Sequence, residues 1–269
     1  MRWVKFEQNG QAVYGVAAGD DIQVTDNTWD EILAGAAPRV TGTVDRGAVR
    51  LLNPVGRPGK IVAIGLNYLD HCRETNTPPP ERPLIFTKFT TSVNDPYGEI
   101  VWSTSLTTQV DYEAELAVVI GKKARNVAEA DALSYVAGYT AANDVSARDL
   151  QLGDGQWVRG KSLDTFCPLG PAFVTADEIP DPQTLSIRCL LNGQVMQESN
   201  TDQMIFSVAN LIAFCSQAFT LEPGDVIVTG TPHGVGLGRD PQVWMQDGDV
   251  VVVEIEKIGR LENRCRTTP

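Results

Sequence analysis

The chain has 269 residues, and its 22 Lys and Arg residues against 34 Asp and Glu residues give a net charge of −12. This acidic balance argues against nucleic acid and anionic membrane surfaces as partners, because both are bound largely through positive charge. No run of about 18 apolar residues is present, so no membrane span is predicted. The first residues, MRWVKFEQNG, lack the apolar stretch of a signal peptide, and we expect a cytoplasmic protein.

The five cysteines are widely spaced and form no C-x-x-C pair; they are Cys72, Cys167, Cys189, Cys215 and Cys265. This pattern predicts reduced thiols rather than a disulfide framework or a zinc site. Only two histidines are present, which also argues against zinc.

The first part of the chain reads as a small unit. Asn9-Gly10 between two short β-type runs predicts a hairpin, and Thr28 followed by Glu31 predicts a capped helix. A Pro- and Gly-rich stretch over 53–59 then predicts a linker. We therefore expect a small N-terminal α/β domain over residues 1–57 and a larger domain over residues 58–269.

The larger domain is predicted to be mostly strands. β-branched runs bounded by turn residues lie at 61–65, 83–87, 115–121, 135–143, 185–193, 225–230 and 249–259. Helices are few, and two are predicted over 126–133, where Asn126 is the expected cap, and 207–217. Strands and helices do not alternate, so the pattern predicts a strand-dominated α+β fold rather than a doubly wound sheet. The glycines over 234–238 are not followed by a helix, so they do not predict a dinucleotide site.

Three carboxylates lie two residues apart where a strand begins. Asp111, Glu113 and Glu115 would share one face of that strand. One interpretation is the solvent-exposed face of an edge strand. The other is a site for a hard cation, because the strand continues into an apolar run and Mg²⁺ prefers oxygen ligands.

A further group of polar residues follows the strand that ends near residue 143. Asp144 lies at the strand end, and Ser146 with Asp149 has the spacing of a helix cap. Arg148 and Gln151 are three residues apart, so on a helix they could bind a substrate carboxylate together or simply be solvated.

His71 and Glu74 are also three residues apart, in a short predicted helix between Asn67 and a proline run. In this arrangement the carboxylate can orient the imidazole as a general base, although a structural histidine is the simpler alternative. Asn67 is expected to cap the helix, and the segment could act as a mobile lid. His233 is interpreted as a loop residue.

Six segments together resemble the fumarylacetoacetate hydrolase family: IGLNYLDHCRE, PLIFTKF, VDYEAELAVVIGKKARNV, GYTAANDVSARDLQ, GQWVRGKSLDTFCPLGPAFV and LEPGDVIVTGTPHGVG. The resemblance covers about residues 60–260 in order, and it is weaker for the N-terminal unit. It implies a mixed β-sandwich roll that forms a homodimer and holds Mg²⁺ or Mn²⁺. It further implies Glu113, Glu115 and Asp144 as metal ligands, and it leaves Asp111 outside the site.

The same resemblance implies roles for the remaining candidates. Lys161 would lie beside the metal and the substrate oxygens, and His71 with Glu74 would position or activate water. The positions implied to contact substrate are Arg148, Gln151, Gly230 and Thr231. The expected substrate is a small 2-oxo acid, whose enolate the metal and Lys161 would stabilise.

The family resemblance does not settle the reaction. We expect hydrolysis of a carbon–carbon bond in an acylpyruvate-like 2,4-diketo acid, because the His71–Glu74 pair is complete. Decarboxylation of oxaloacetate and isomerisation of 2-hydroxyhepta-2,4-diene-1,7-dioate would use the same enolate. A non-catalytic protein that binds an oxo acid through a metal is the remaining alternative.

Overall fold

A computed structural model describes residues 1–269. It has nineteen strands, in chain order β1 (Arg2–Gln8), β2 (Gln11–Ala18), β3 (Asp21–Thr25), β4 (Val40–Asp45), β5 (Arg50–Leu52), β6 (Ile61–Gly65), β7 (Leu84–Lys88), β8 (Val93–Asn94), β9 (Glu99–Ser103), β10 (Val110–Asp111), β11 (Ala114–Ile120), β12 (Val136–Asn143), β13 (Ser146–Ala147), β14 (Cys167–Thr175), β15 (Ser186–Leu191), β16 (Gln194–Asn200), β17 (Val226–Val228), β18 (Val250–Ile255) and β19 (Gly259–Thr268).

The helices are short and few: α1 (Trp29–Leu33), α2 (Leu69–Glu74), α3 (Arg148–Gly153), α4 (Val158–Lys161) and α5 (Val208–Ala218). None of them has the length and apolar character needed to cross a bilayer. The strand-dominated α+β class predicted from the sequence is therefore confirmed.

The largest sheet has the strand order β4-β3-β2-β1-β14-β12-β11-β17-β6-β7, with β5 added beside β1 and β8 beside β14. It is mixed, since β17 and β6 run parallel whereas β11 pairs antiparallel with both β12 and β17. The N-terminal strands extend this sheet, because Trp3 of β1 pairs with Phe173 of β14.

A second, five-stranded sheet has the order β16-β15-β18-β19-β9, and β10 pairs with β13 as a small separate ladder. A core of 41 buried residues lies between the large sheet, the five-stranded sheet and α5. A smaller core of 14 buried residues lies on the other face of the large sheet, against Trp3 and Ile32 of the N-terminal segment.

Strand β11 lies between these two cores, and all seven of its residues are buried. Leu116, Val118 and Ile120 contribute to the larger core, whereas Ala117 and Val119 contribute to the smaller one. Successive side chains of a strand point to opposite faces, so a strand covered on both faces reads as a continuous apolar run. The two cores fix β11 on both sides.

Local sequence signals in the N-terminal segment are confirmed. Gln8 pairs with Gln11 around the Asn9-Gly10 turn, and Thr28 and Glu31 form a reciprocal capping box at the start of α1. Ser207 caps α5 with one bond, since its side chain accepts from the Asn210 amide. The helix predicted over 126–133 is wrong, because Asn126 has a φ of 53° and cannot serve as an N-cap. A 3₁₀ helix over Glu129–Tyr135 takes its place.

Candidate active site

Glu113, Glu115 and Asp144 lie together at the edge where β11 begins and β12 ends. Ala114 pairs with Asn143, so the residues on either side of this pair are brought to one place. The Asp144 amide donates to the Glu113 carbonyl at 2.9 Å, and Asn143 Oδ1 accepts from the Glu113 amide at 3.0 Å. One carboxylate oxygen from each of the three acids lies within 4.8 Å of the others, and all three residues are buried.

Two buried lysines face these acids. Lys161 Nζ lies 2.7 Å from Glu113 Oε2 and 2.8 Å from Asp144 Oδ2. Lys88 Nζ donates to the other Asp144 oxygen and, at 3.1 Å, to the Val145 carbonyl. Burial alone would raise the pKa of Glu113, but Lys161 and Arg148 outweigh it and lower that pKa to about 2.

Glu115 is less well compensated than its neighbours. It accepts one hydrogen bond, from the Gly230 amide at 2.8 Å. Burial, together with the charges of Asp144 and Glu113, raises the pKa of Glu115 well above its ordinary value. A cation between the three acids would relieve this repulsion, and a set of carboxylate oxygens is what hard divalent cations prefer. The residues present therefore fit a Mg²⁺ or Mn²⁺ ion.

Asp111 is fully buried, so the interpretation of this stretch as a solvent-exposed strand face is wrong. It also lies outside the group of three acids. Asp111 accepts from the amides of Gly236 and Leu237 at 2.7 and 3.0 Å and from Arg148 Nε at 2.9 Å. Since a strand break separates β10 from β11, Asp111 and Glu115 serve different partners.

Arg148 begins α3, and its guanidinium pairs both with Asp111 and with Glu113 of the three clustered acids. Its Nη1 lies 2.7 Å from Glu113 Oε1 and donates to Gln151 Oε1 at 3.0 Å. Asp111, Glu113 and Gln151 thereby orient one buried guanidinium at the cavity wall. The predicted cap at the start of α3 is wrong, because the Ser146 hydroxyl donates to the Asp144 carbonyl and Asp149 accepts from Thr107 instead.

His71 and Glu74 lie on α2, and His71 lines the cavity above the acids. His71 Nδ1 is 2.9 Å from Glu74 Oε2, so the carboxylate favours the tautomer that carries its proton on Nδ1 and leaves Nε2 as an acceptor. Burial opposes ionisation of Glu74, but hydrogen bonds from His71 and from the Gly234 amide lower the pKa of this carboxyl below its ordinary value. The pair has the geometry of an oriented general base.

Asn67 does not cap α2 as predicted; Tyr68 occupies the cap position without a side-chain bond. The Asn67 side chain instead donates to the carbonyls of Phe206 and Thr229, at 3.1 and 2.8 Å. It therefore joins the start of the helix to two other segments. Asp70 adds a contact from Ser199 of β16, so α2 is held against the five-stranded sheet.

Gly160 lies where α4, the helix that carries Lys161, packs closely against α3. A Cβ atom at Gly160 would lie 2.6 Å from both the Ala147 carbonyl oxygen and the Gln151 amide nitrogen. Only glycine allows α4 to approach α3 this closely. Lys161 and Gln151 consequently reach the same cavity.

The predicted contact residues Gly230 and Thr231 lie at the site and are bonded to protein groups. The Gly230 amide donates to Glu115, and Thr231 Oγ1 donates to the Ala114 carbonyl at 3.0 Å. Thr231 also lines the cavity.

The cavity has a volume of about 150 Å³. Its wall carries the charged side chains Glu113, Glu115, Arg148 and Lys161 together with the apolar side chains Phe86, Leu152, Trp157, Val235 and Leu237. Phe86 and Trp157 meet edge to face, with 5.3 Å between their ring centroids. The site is small, and its wall has both charged and apolar parts.

Lys88 is a partner of the buried acids that sequence reasoning missed. It is 1% exposed and pairs with an acid 56 residues away. The available signal was a lysine ending an otherwise apolar strand, in PLIFTKF, since a buried lysine needs an anionic partner.

Comparisons with known proteins agree with this geometry. Residues 60–266 match the family described as fumarylacetoacetate (FAA) hydrolase C-terminal, and residues 1–54 match one described as Rv2993c-like, N-terminal. The chain belongs to the fumarylacetoacetate hydrolase family of enzymes, and the resemblance stated from its motifs is confirmed.

Individual relatives are similar over most of the chain. The human protein named oxaloacetate tautomerase FAHD2A, mitochondrial, is 52% identical over 221 residues, which cover 81% of this chain and 70% of that protein. A fumarylacetoacetate hydrolase structure from Exiguobacterium antarcticum aligns over 100% of both chains with 40% identity and a TM-score of 0.91. The structure of 2-hydroxyhepta-2,4-diene-1,7-dioate isomerase from Mycobacterium marinum covers 100% of this chain and 99% of its own, with 35% identity and a TM-score of 0.86.

Proposed function

We propose that this chain is a Mg²⁺- or Mn²⁺-dependent enzyme that interconverts the enol and keto forms of oxaloacetate. The observation that carries the proposal is one small cavity lined both by His71, which Glu74 orients, and by Glu113 and Glu115, two of the three clustered buried acids. The name of the human relative, at 52% identity, supports oxaloacetate as the substrate.

Each residue has a definite task in this proposal. Arg148 and Gln151 bind a substrate carboxylate, and Glu113, Glu115 and Asp144 hold the cation. When bound, the cation supplies a Lewis acid for the substrate's 2-oxo oxygen. The Lys161 ammonium lies where negative charge develops on that oxygen, and its buried position strengthens the interaction.

His71 moves the proton. Nε2 takes a proton from carbon 3 of the keto acid, and the resulting imidazolium returns this proton to the 2-oxo oxygen to give the enol. The reverse transfer gives the keto form, so no bond between heavy atoms is broken. Glu74 keeps the imidazole in the required tautomer and stabilises its charged form.

The buried charges of the site suit an anionic substrate together with a divalent cation. The protein supplies one more carboxylate than cationic groups, counting Asp111, Glu113, Glu115, Asp144, Lys88, Arg148 and Lys161. A divalent ion would change the net charge of these groups from negative to positive. A dicarboxylate would then enter a site of opposite charge.

A second candidate is the hydrolysis of an acylpyruvate-like diketo acid, which the same His71–Glu74 geometry favours. In this reaction His71 takes a proton from water, the hydroxyl attacks the distal carbonyl, and pyruvate leaves as its enolate. Decarboxylation of oxaloacetate and isomerisation of a heptadienedioate need no attacking water, and the isomerase from Mycobacterium marinum supports the latter reaction.

The test compares these reactions on one preparation. The ultraviolet absorbance of the enol follows tautomerisation of oxaloacetate, and pyruvate release is measured from oxaloacetate and from acetylpyruvate, each with Mg²⁺ or with EDTA. We expect metal-dependent acceleration of enol decay that is lost in His71→Ala. Pyruvate release from acetylpyruvate without an effect on the enol would favour the hydrolase. Inactivity in all assays with retained oxalate binding would favour a binding protein.

The domain boundary near residue 57, the homodimer and the cytoplasmic location remain proposals. Light scattering with size-exclusion chromatography tests the dimer. The human relative is named as a mitochondrial protein.

A further inference from the structure

Gln197 of β16 reaches from the five-stranded sheet into the edge of the large sheet. It is 0% exposed, and its amide makes three hydrogen bonds. Oε1 accepts from the Ala114 amide at 2.9 Å, while Nε2 donates to Thr231 Oγ1 and to the Pro232 carbonyl, both at 2.8 Å. All three hydrogen bonds of this side chain therefore go to two segments. One carries Glu113 and Glu115, and the other runs from Gly230, whose amide donates to Glu115, to Pro232.

Thr231 closes the ring of hydrogen bonds. Its Oγ1 accepts from Gln197 and donates to the Ala114 carbonyl at 3.0 Å. Both backbone polar groups of Ala114 are thus bonded to side chains. The neighbouring strand β17 cannot supply these partners, since its pairing with β11 extends only from Val119 to Ala117. We call Gln197, Thr231 and Ala114 the amide clamp.

Ala114 is the residue between Glu113 and Glu115. A rotation of the Ala114 backbone would change the direction in which both glutamates leave the chain, and the two side chains repel each other. The amide clamp is buried and fully hydrogen-bonded, so it opposes the backbone rotation by which the two glutamates could move apart.

We propose that Gln197 is a positioning residue that sets the spacing of Glu113 and Glu115 for a divalent cation, acting through Ala114 and Thr231. The inference rests on the proposed function, because it assumes that these acids bind the cation. Thr231, expected from the sequence to contact substrate, then acts mainly through its bond to Ala114.

The chemistry requires an amide at residue 197. Glutamine supplies an acceptor for the Ala114 amide and donors for Thr231 and Pro232, whereas glutamate has no donor and methionine has neither. Gln197→Met keeps the length and approximate volume of the side chain, so it removes the hydrogen bonds with little change in packing.

The experiment measures binding of Mn²⁺ to the full chain by calorimetry, and unfolding by urea in parallel. We expect Gln197→Met and Thr231→Val each to weaken Mn²⁺ binding about 10- to 100-fold, the range typical of residues that orient metal ligands. The double variant should bind Mn²⁺ as tightly as the single variant with the lower affinity, because both changes break the same ring of hydrogen bonds. Thr231→Ser, which keeps Oγ, should restore the affinity.

Asn263 provides the matched control. It is 1% exposed, and its amide donates to the carbonyls of Asp95 and Gly98 at 3.0 and 2.8 Å, remote in sequence from the acids. Asn263→Leu should lower the free energy of unfolding and leave Mn²⁺ affinity unchanged.

Two results would overturn the inference in distinguishable ways. Wild-type affinity in folded Gln197→Met and Thr231→Val proteins would reject the positioning role and leave the proposed function intact. Absence of Mn²⁺ and Mg²⁺ binding by the wild type would reject the metal-dependent function and this inference with it. If Gln197→Met fails to fold, Thr231→Val alone decides.

Discussion

Asp111 and Arg148 form a buried ion pair in which Nε and Nη2 of the guanidinium lie 2.9 and 2.8 Å from Oδ2 of the carboxylate. The other carboxylate oxygen accepts from the Gly236 amide. One acid therefore orients the proposed substrate-binding arginine and also fixes the glycine-rich loop that forms part of the cavity wall. Removing its charge should affect stability and substrate binding together.

We expect Asp111→Asn to lower the free energy of unfolding by about 3–5 kcal/mol, because one partner of a buried pair loses its charge. The KM for the oxo acid should rise, since Arg148 would keep only Glu113 and Gln151 as strong partners. Urea unfolding and initial-rate kinetics measure the two effects. Asp154→Asn is the control, since Asp154 pairs with Arg159 at the surface and should change neither quantity appreciably. An unchanged KM would contradict the role of Asp111.

Glu115→Gln should change stability in opposite directions with and without metal. The metal-free variant should be more stable than the wild type, because a buried carboxylate repelled by Glu113 and Asp144 becomes neutral. With Mn²⁺ the wild type should gain about 2.7 kcal/mol at 100 times its Kd, and the variant much less. Thermal unfolding with Mn²⁺ and with EDTA tests this crossing. A lower melting temperature of the variant in EDTA would argue against repulsion at the site.

His71→Ala should reduce kcat about 10²- to 10⁴-fold while Mn²⁺ affinity is retained, because the imidazole transfers protons and does not hold the cation. Glu74→Gln should give a smaller loss, since the imidazole remains but its tautomer is less well fixed. His233→Ala is the matched control, because the His233 ring forms its hydrogen bond with the Glu198 carbonyl and not with Glu74. Equal losses in His71→Ala and His233→Ala would indicate a structural effect of either change.

Gly160→Ala should reduce both activity and stability, since its Cβ atom would overlap backbone atoms of Ala147 and Gln151. Relief of this overlap must move α4 and therefore Lys161. Gly153→Ala, at the end of α3, meets no atom within 4 Å and should stabilise the chain by about 0.4–1 kcal/mol. Relative to the wild type, the free energy of unfolding should consequently fall in Gly160→Ala and rise in Gly153→Ala. Full activity of Gly160→Ala would show that the close approach of α3 and α4 is dispensable.

The native protein should react very slowly with thiol reagents. All five cysteines are buried, and burial raises the pKa of Cys167, Cys215 and Cys265 to about 12. At neutral pH these thiols stay protonated, and the thiolate is the reactive form. A colorimetric thiol assay should count five groups after unfolding and almost none before it. Rapid labelling of the native chain at any cysteine would disagree with the buried positions.

Features set by neighbouring residues could be predicted from the sequence. The Asn9-Gly10 turn, the Thr28 cap and the strand over Ile61–Gly65 each depend on a few consecutive residues. The spacing of Glu113 and Glu115 likewise indicated a cation site, because a strand presents alternate residues on one face.

Features that depend on distant partners could not be predicted in this way. Spacing alone grouped Asp111 with Glu113, and the amides of Gly236 and Leu237, which lie 125 and 126 residues further on and donate to Asp111, separate their roles. Gln197 gave no signal at all, because its partner Ala114 lies 83 residues away and in the other sheet. No local pattern encodes which buried amide meets which backbone group after two sheets pack.

The double-sided burial of β11 has a consequence for how the cation would exchange with solvent. A strand covered by a core on each face opens only when much of the protein opens, so its amide hydrogens should be among the slowest in the chain to exchange with deuterium. Thermal fluctuations would then not release the ion by fraying the strand that carries its ligands. We expect entry and departure to proceed instead through the cavity, which His71 of α2 helps to line, so the rate of metal exchange should depend on the motion of that one short helix.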